Sequence, residues 1–119
     1  MPTSPTSRAR LPRYIVVVTT CPDEEAASRI AGVLVERKLA ACVQASAITS
    51  TYRWQGAIET AREVRLMIKA KSTDYDAIQA CIMELHSYQT PEVIALPVVA
   101  GSRSYLDWID AETRGSSCP

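Results

Sequence analysis

The pattern of apolar and polar positions in the first third of the chain predicts a strand followed by an amphipathic helix. The β-branched, apolar run at 14–20 indicates a short buried strand. Pro22 suits the first helical position, and the acidic residues at 23–25 suit the positive end of the helix dipole. We expect the helix to run to about Lys38, with an apolar face formed by Ala27, Ile30, Ala31 and Leu34.

The middle of the chain predicts a long β-hairpin. Residues 41–52 are rich in β-branched and small side chains, which favours a strand, and Gln55-Gly56 favours a turn. The return strand alternates apolar with polar positions, and one face is formed by Val64, Leu66, Ile68 and Ala70. Both strands are much longer than the usual length of about 5–6 residues. Such a ribbon extends beyond a small sheet, so we expect it to pack on another subunit.

The apolar positions of residues 72–86 recur at helical spacing and predict a second amphipathic helix. Thr73 and Asp76 are spaced as a capping pair at its start. Residues 93–99 are apolar almost throughout and predict a strand. Pro97 inside that run indicates an edge strand or a bulge, because proline cannot donate to the hydrogen-bond ladder.

A short third helix is predicted after residue 101, with Ser104 and Asp107 spaced as a cap. The element order is therefore β-α-β-β-α-β with an added C-terminal helix. This is the ferredoxin-like, split βαβ arrangement of an α+β fold, with two helices on one face of an antiparallel sheet. We expect the third helix or a neighbouring subunit to cover the other face.

Length and charge place limits on the class of protein. The 119 residues fit one domain, which we place at 14–112, between an N-terminal tail at 1–13 expected to be disordered and a C-terminal tail at 113–119. The 13 basic and 13 acidic side chains cancel, so nothing in the charge balance predicts binding to nucleic acid or an anionic membrane. No apolar run reaches the roughly 18–20 residues of a membrane span. We expect a cytoplasmic protein.

The residue types that carry catalysis are sparse in this sequence. The cysteines stand far apart with no C-x-x-C pair, so we expect free thiols in a reducing compartment at Cys21, Cys42, Cys81 and Cys118. The single histidine is His86, and no nucleophile elbow or glycine-rich phosphate loop is present. We therefore predict a protein that is not an enzyme.

Three residues are candidate metal ligands. Cys21 is predicted at the start of the first helix, where amide N–H groups and the helix dipole lower the pKa of a thiol. The imidazole of His86 is a common metal ligand, and Glu92 lies six positions on across a predicted turn. Thiolate and imidazole together favour copper or zinc. The alternatives are that Cys21 is a small residue at a strand–helix junction and that His86 caps a helix.

A group of side chains near the predicted hairpin tip is a candidate pocket. Tyr52, Trp54 and Glu59 lie close to the turn at Gln55-Gly56. One interpretation is a pocket for a small ligand at a subunit boundary. The other is ordinary cross-strand packing of aromatic side chains or packing between subunits.

Four segments together resemble one known family. They are "TTCPDEEAASRIAGVLVERKLAACV", "YRWQGAIE", "HSYQTPEVIALPV" and "YLDWI", and they lie between about residues 14 and 112. This combination is similar to the CutA divalent-cation tolerance family. The resemblance implies a ferredoxin-like subunit in a homotrimer whose long hairpins extend onto neighbouring subunits. It also implies a link to tolerance of copper and other divalent ions.

The resemblance further implies a copper site in which His86 would be a ligand. The cysteine of that pattern falls on Thr19 in this chain, while Cys21 stands two residues later, and a second histidine of some members falls on Leu85. Our first hypothesis is a non-enzymatic trimer for divalent-metal tolerance, with no obligatory cofactor and with Cu²⁺ or another divalent cation as a candidate ligand. The ligands to test are His86, Cys21 and Glu92.

The alternative hypothesis is a trimeric regulatory module that binds a small metabolite between subunits. Its cleft would be lined by Tyr52, Trp54, Glu59 and the "SYQTP" segment that contains Tyr88. The resemblance implies this alternative through the likeness of the family's trimer to trimeric proteins that sense metabolites.

Overall fold

A computed structural model of the chain describes residues 12–115 as one antiparallel sheet with helices on both faces. The strands and helices follow in the order β1 (Tyr14–Cys21), α1 (Glu24–Glu36), β2 (Cys42–Trp54), β3 (Ala57–Lys71), α2 (Tyr75–Leu85), β4 (Ile94–Pro97) and α3 (Arg103–Glu112). The sheet has four strands in the order β2-β3-β1-β4. This confirms the predicted α+β, ferredoxin-like arrangement with an extra C-terminal helix. The predicted terminal tails lie largely outside the described residues.

The hydrophobic core lies between the sheet and helices α1 and α2. Alternate residues of the two central strands point to it, and Val17 lies opposite Ile68 in the β1–β3 ladder. Because side chains of a strand alternate between the two faces, each second residue of β1 and β3 reaches the helices. The largest fully buried core side chains are Ile15, Val17, Ile30, Leu34, Leu66, Ile68, Ile78 and Ile82.

The helices begin at caps that differ from the predicted ones. Asp23 is the N-cap of α1 and accepts a hydrogen bond from the Ala26 amide at 2.8 Å, so Pro22 precedes the cap. The 3₁₀ turn Ser72–Asp74 leads into α2, whose N-cap position has no side-chain cap hydrogen bond. The cap of α3 is Ser102, two residues before the predicted position. In each case the sequence pattern predicted the helix correctly but not the residue at which it begins.

Strands β2 and β3 form a ribbon that leaves the body of the subunit. Their ladder runs from Cys42 opposite Lys69 to Trp54 opposite Ala57. The predicted turn is confirmed at Gln55 and Gly56, whose φ angles of 51° and 83° are the positive values of a two-residue hairpin turn. Every residue from 51 to 60 is exposed in the subunit.

Helix α3 covers one end of the sheet face opposite α1 and α2. The Tyr14 hydroxyl donates to Asp110 Oδ2 at 2.7 Å, and Lys71 Nζ donates to the Arg114 carbonyl at 2.7 Å. Arg114 Nε also donates to Asp74 Oδ1 at 2.8 Å, while Thr113 is buried. Residues 113 and 114, assigned to the C-terminal tail from the sequence, are thus packed on the domain.

The last strand is shorter than predicted. The sequence favoured a strand over 93–99, whereas β4 contains Ile94–Pro97 and pairs with β1. Pro97 lies at the end of this edge strand, as predicted for a residue without an N–H donor. The residues between α2 and β4 are left as an ordered loop, 86–93, which forms one wall of the site described next.

Candidate functional site

A cleft of about 790 Å³ opens between the outer part of the β2–β3 ribbon and the loop after α2. We call it the ribbon cleft. The strands contribute Thr20, Ser50, Thr51, Tyr52, Trp54 and Glu63, and the loop contributes Tyr88, Gln89, Thr90, Pro91 and Glu92. The sheet residues Ser50, Tyr52, Trp54 and Glu63 share the sheet face that α1 and α2 leave uncovered.

His86 fastens the loop to the end of β1. Its Nε2–H donates to the Thr20 carbonyl at 2.7 Å, and its Nδ1 accepts the Tyr88 amide at 3.1 Å. A carbonyl can only accept and an amide N–H can only donate, so these partners define the neutral tautomer with its proton on Nε2. His86 is also the C-cap residue of α2, where its backbone N–H bonds the Ile82 carbonyl. Its ring bonds Thr20 and Tyr88 instead of the helix end that the capping alternative considered. Both ring nitrogens are therefore occupied.

Tyr88 is held by contacts to two sides. Its ring lies 4.6 Å from the His86 ring, centroid to centroid, and its hydroxyl donates to Glu63 Oε2 at 2.8 Å. Burial, and then the hydrogen bond to Glu63, raise the pKa of the Tyr88 hydroxyl. The phenol, which is protonated at neutral pH even without this shift, keeps its proton to higher pH and donates it to the carboxylate in a hydrogen bond.

The predicted pocket residues divide into two groups. Tyr52, Trp54 and Tyr88 line the ribbon cleft and are between 36% and 46% exposed. Glu59 lies opposite Tyr52 in the β2–β3 ladder, but it does not line the cleft. The carboxylate that does so from β3 is Glu63, four residues farther from the turn.

Cys21 differs from its predicted environment. It is the last residue of β1, its side chain is fully buried, and Asp23 rather than Cys21 caps α1. Burial raises the pKa of the Cys21 thiol to about 11, and the negative charges of Asp23 and Glu63 act in the same direction. The expected lowering of the thiol pKa is therefore wrong, because desolvation outweighs the helix dipole at a position inside the core. The cysteine is a small core residue at a strand–helix junction.

The three candidate metal ligands do not form a metal site within one subunit. Across residues 12–115, no group of three or more His, Cys, Asp and Glu side chains is arranged to hold an ion. Cys21 is buried with a protonated thiol, His86 has both nitrogens occupied, and Glu92 is exposed at the edge of the ribbon cleft. These residues do not fit the copper site that the family resemblance implies.

Four residues that line the ribbon cleft were missed from the sequence, namely Thr20, Ser50, Thr51 and Glu63. Glu63 appeared only as a polar position on the outer face of β3, and Thr20 only as part of a buried strand. The turn at Gln55-Gly56 sets the register that places Glu63 opposite Ile48, so the hairpin pattern could have located the carboxylate. Nothing in the local pattern predicts the bond from His86 to Thr20, which joins positions 66 residues apart.

Comparison with known proteins gives one consistent family. Residues 15–112 match the model of the family described as CutA1 divalent ion tolerance protein. The divalent-cation tolerance protein CutA of Thermus thermophilus is 42% identical over 99 residues, which cover 82% of this chain and 96% of that protein. The solved structure of the periplasmic divalent cation tolerance protein CutA from Archaeoglobus fulgidus is 38% identical and superposes with a TM-score of 0.82, covering 83% of this chain and 97% of that one.

These comparisons overturn the predicted cytoplasmic location. The Archaeoglobus protein is described as periplasmic. A rice relative, protein CutA 1, is described as chloroplastic; it is 43% identical over 103 residues, 86% of this chain and 58% of the rice protein. The cytoplasmic assignment is wrong as an inference from this sequence, because similar chains occur in other compartments. None of the helices within residues 12–115 has the length and hydropathy needed to span a bilayer.

Proposed function

Since the chain belongs to the CutA1 divalent ion tolerance family, we propose that it supports tolerance of divalent cations, copper among them, as a non-enzymatic homotrimer. The observation that carries this proposal is the family match over nearly the whole described chain. The site supports a binding role rather than a catalytic one.

Growth under metal stress tests the proposed role in tolerance. In the organism that carries this chain, deletion of the gene should lower the Cu²⁺ concentration that halves the growth rate, and the wild-type gene should restore it. Sodium chloride at the same ionic strength is the control and should affect both strains equally. Equal growth of the two strains across a series of Cu²⁺, Zn²⁺ and Co²⁺ concentrations would contradict the proposal.

The state of the candidate nucleophile and base supports a non-enzymatic role. Among the described residues, the only imidazole has both nitrogens engaged, so it has no lone pair free to accept a proton from a substrate. The Cys21 thiol is buried, and its raised pKa keeps the nucleophilic thiolate scarce at neutral pH. Neither group offers the activated pair that covalent catalysis requires.

Exposed apolar side chains on the ribbon and on the edge strand β4 support assembly into a trimer. Ile58 near its tip is 69% exposed, and Ile94 and Leu96 on the edge strand β4 are 49% and 42% exposed. Large apolar side chains in such numbers on a small subunit favour burial against another copy. Light scattering after size exclusion should give about three times the subunit mass of 13.0 kDa. A stable monomer would contradict this part of the proposal.

Direct binding of copper is proposed only at a site that neighbouring subunits would complete. Glu92 is the candidate ligand that is exposed in the subunit. Titration calorimetry with Cu²⁺ and Zn²⁺ should therefore show weaker binding in Glu92→Gln, and binding unchanged in Cys21→Ser. Loss of binding in Cys21→Ser together with retained binding in Glu92→Gln would contradict this assignment.

A second candidate function is a regulatory module that binds a small metabolite in the ribbon cleft. The observation that favours it is the cleft itself, whose size of about 790 Å³ is typical of small-molecule sites. Aromatic side chains and several hydroxyl, amide and carboxylate groups line it. A ligand that binds the folded protein raises its melting temperature. A thermal-shift screen that finds stabilisation by a metabolite and none by Cu²⁺ or Zn²⁺ would favour this function over direct metal binding.

A further inference from the structure

We propose that the ribbon cleft binds a small organic cation with an alkylated ammonium group, held between aromatic rings and carboxylates. This inference rests on the second candidate function and names the chemical class of its ligand. The rings are those of Tyr52, Trp54 and Tyr88, and the carboxylates are those of Glu63 and Glu92.

The charges around the cleft favour a positive ligand. Glu63 and Glu92 line it, while none of the described residues that line it is a lysine, arginine or histidine. The chain as a whole carries equal numbers of basic and acidic side chains, so this local excess of negative charge is not a consequence of composition. A cationic ligand would supply the charge that the lining lacks.

The aromatic side chains favour a diffuse, weakly hydrated cation. Tyr52 and Trp54 stand two positions apart in β2 and therefore share one face of the ribbon. Tyr88 approaches this face from the loop after α2. In the single subunit their exposed fractions are 44%, 46% and 36%, so part of each ring is left uncovered by the chain's own residues and can face a ligand held between subunits. Alkylated ammonium groups bind the negative faces of such rings, and tryptophan is the strongest of the three ring types.

The site is ordered before any ligand arrives. The Tyr88 backbone is fixed by His86 Nδ1, and its hydroxyl is fixed by Glu63 Oε2 at 2.8 Å. Donation of this hydrogen bond to a carboxylate makes the phenol ring more electron-rich, which strengthens its attraction for a cation. A preformed arrangement lowers the entropic cost of binding.

Within one subunit, the same arrangement is poorly suited to a bare divalent ion. Divalent ions require several oxygen, nitrogen or sulfur ligands at short distances. One of the two carboxylates already accepts from Tyr88, and no cluster of three ligating side chains occurs within residues 12–115. Aromatic walls compensate little for the hydration that such an ion would lose. The ligand class inferred here is therefore distinct from the metal ions of the family name.

Titration calorimetry with tetramethylammonium chloride tests the inference on the wild-type protein in its native assembly. The matched compound is tert-butanol, which has a similar size and no charge, and sodium chloride controls for ionic strength. We expect saturable binding of tetramethylammonium only. Trp54→Leu and Glu63→Gln should each weaken it about threefold to tenfold, because each removes one interaction with the cation. Glu36→Gln removes a carboxylate of α1 that lies outside the cleft and should leave the affinity unchanged.

The possible results test the ligand class independently of the functions proposed above. Circular dichroism verifies folding, and Tyr52→Leu replaces Trp54→Leu if the latter does not fold. Absence of tetramethylammonium binding, equal binding of tert-butanol, or full binding by both cleft variants would overturn the inference. If uncharged metabolites stabilise the protein and ammonium compounds do not, the regulatory module stands and the ligand class fails. A metal-sensitive deletion strain with normal ammonium binding would leave both the tolerance role and the inference standing.

Discussion

The two ends of the β2–β3 ribbon are made by the same strands and have opposite environments. At the inner end, Leu66 and Ile68 of β3 are fully buried under the helices. At the outer end, Ile58 of the same strand is 69% exposed, and every residue from 51 to 60 is exposed. The backbone ladder is continuous between the two ends.

The inner end of the ribbon contributes mainly to the stability of the subunit, and the outer end mainly to contacts with a ligand or another subunit. Burial of large apolar side chains is the main favourable contribution to folding, so the inner end should determine the stability of the subunit. The outer end contributes little burial within one chain, yet it carries Tyr52 and Trp54 at the ribbon cleft. Its side chains remain available for a ligand or another subunit. Substitutions at the two ends should consequently affect different measurements.

The largest expected effect is at the inner end. Ile68→Ala should lower the free energy of unfolding by about 3 kcal/mol, because it opens a cavity in a fully buried position. Ile58→Ala on the same strand should change it by less than about 0.5 kcal/mol within one subunit and should weaken self-association instead. Urea unfolding at fixed chain concentration and light scattering measure the two quantities. Equal losses of stability in both variants would remove the distinction between the ends.

A second prediction concerns the buried thiol near the junction of the two regions. Unfolded Cys21 loses its proton near pH 9, whereas the folded thiol, whose pKa is about 11, keeps it longer. Between these values the native state binds more protons, so the free energy of unfolding should fall as pH rises from about 9 to 11. The full difference for two pKa units is roughly 3 kcal/mol, most of which is lost between pH 9 and 11.

The variant Cys21→Ala isolates this effect. Its unfolding free energy will be lower than wild type at pH 7, because packing is lost, but the difference should narrow toward pH 11. Urea titrations at pH 7, 9 and 11 measure the change. A constant difference across the three pH values would show that the thiol ionises alike in both states.

A third prediction concerns the loop that faces the outer end. His86→Ala removes two side-chain hydrogen bonds, to the Thr20 carbonyl and from the Tyr88 amide, and should cost about 1–2 kcal/mol. The Tyr88 amide should also exchange its hydrogen faster. Ser87→Ala, at an exposed neighbouring position, is the control and should leave exchange unchanged. Unaltered exchange in His86→Ala would mean that the ring does not hold the loop.

The sequence allowed most of the inner region to be predicted. The alternation of Val64, Leu66 and Ile68 identified β3, and helical spacing identified α1 and α2. Such periodic patterns arise because one face of each element is buried, so they are strongest where the core is. The positive φ values required at Gln55-Gly56 made the turn equally predictable.

The site was harder to predict because its contacts are irregular and distant in sequence. The bond from His86 to Thr20 and the bond from Tyr88 to Glu63 join different elements and follow no period. For Cys21, the alternation of β1 already pointed its side chain inward with Ile15 and Val17. The interpretation of Cys21 as a reactive thiol considered only the helix dipole, and burial had the larger effect on the thiol. The alternative interpretation, a small residue at a strand–helix junction, agrees with its buried position.

The smallest expected changes in stability come from two glycine substitutions, one at the outer tip of the ribbon and one in α1. Gly56 has a φ of 83°, so Gly56→Ala places a side chain in the left-handed region and should destabilise by about 1 kcal/mol. A Cβ at Gly32 meets nothing within 4 Å, and alanine is the better helix former. Gly32→Ala should therefore stabilise by about 0.5–1 kcal/mol. The opposite signs, read from urea midpoints, depend on backbone conformation alone, since neither position gains a packing contact. If both substitutions stabilised the protein, the tip would not require the conformation that sets the register of the ribbon and places Glu63 in the cleft.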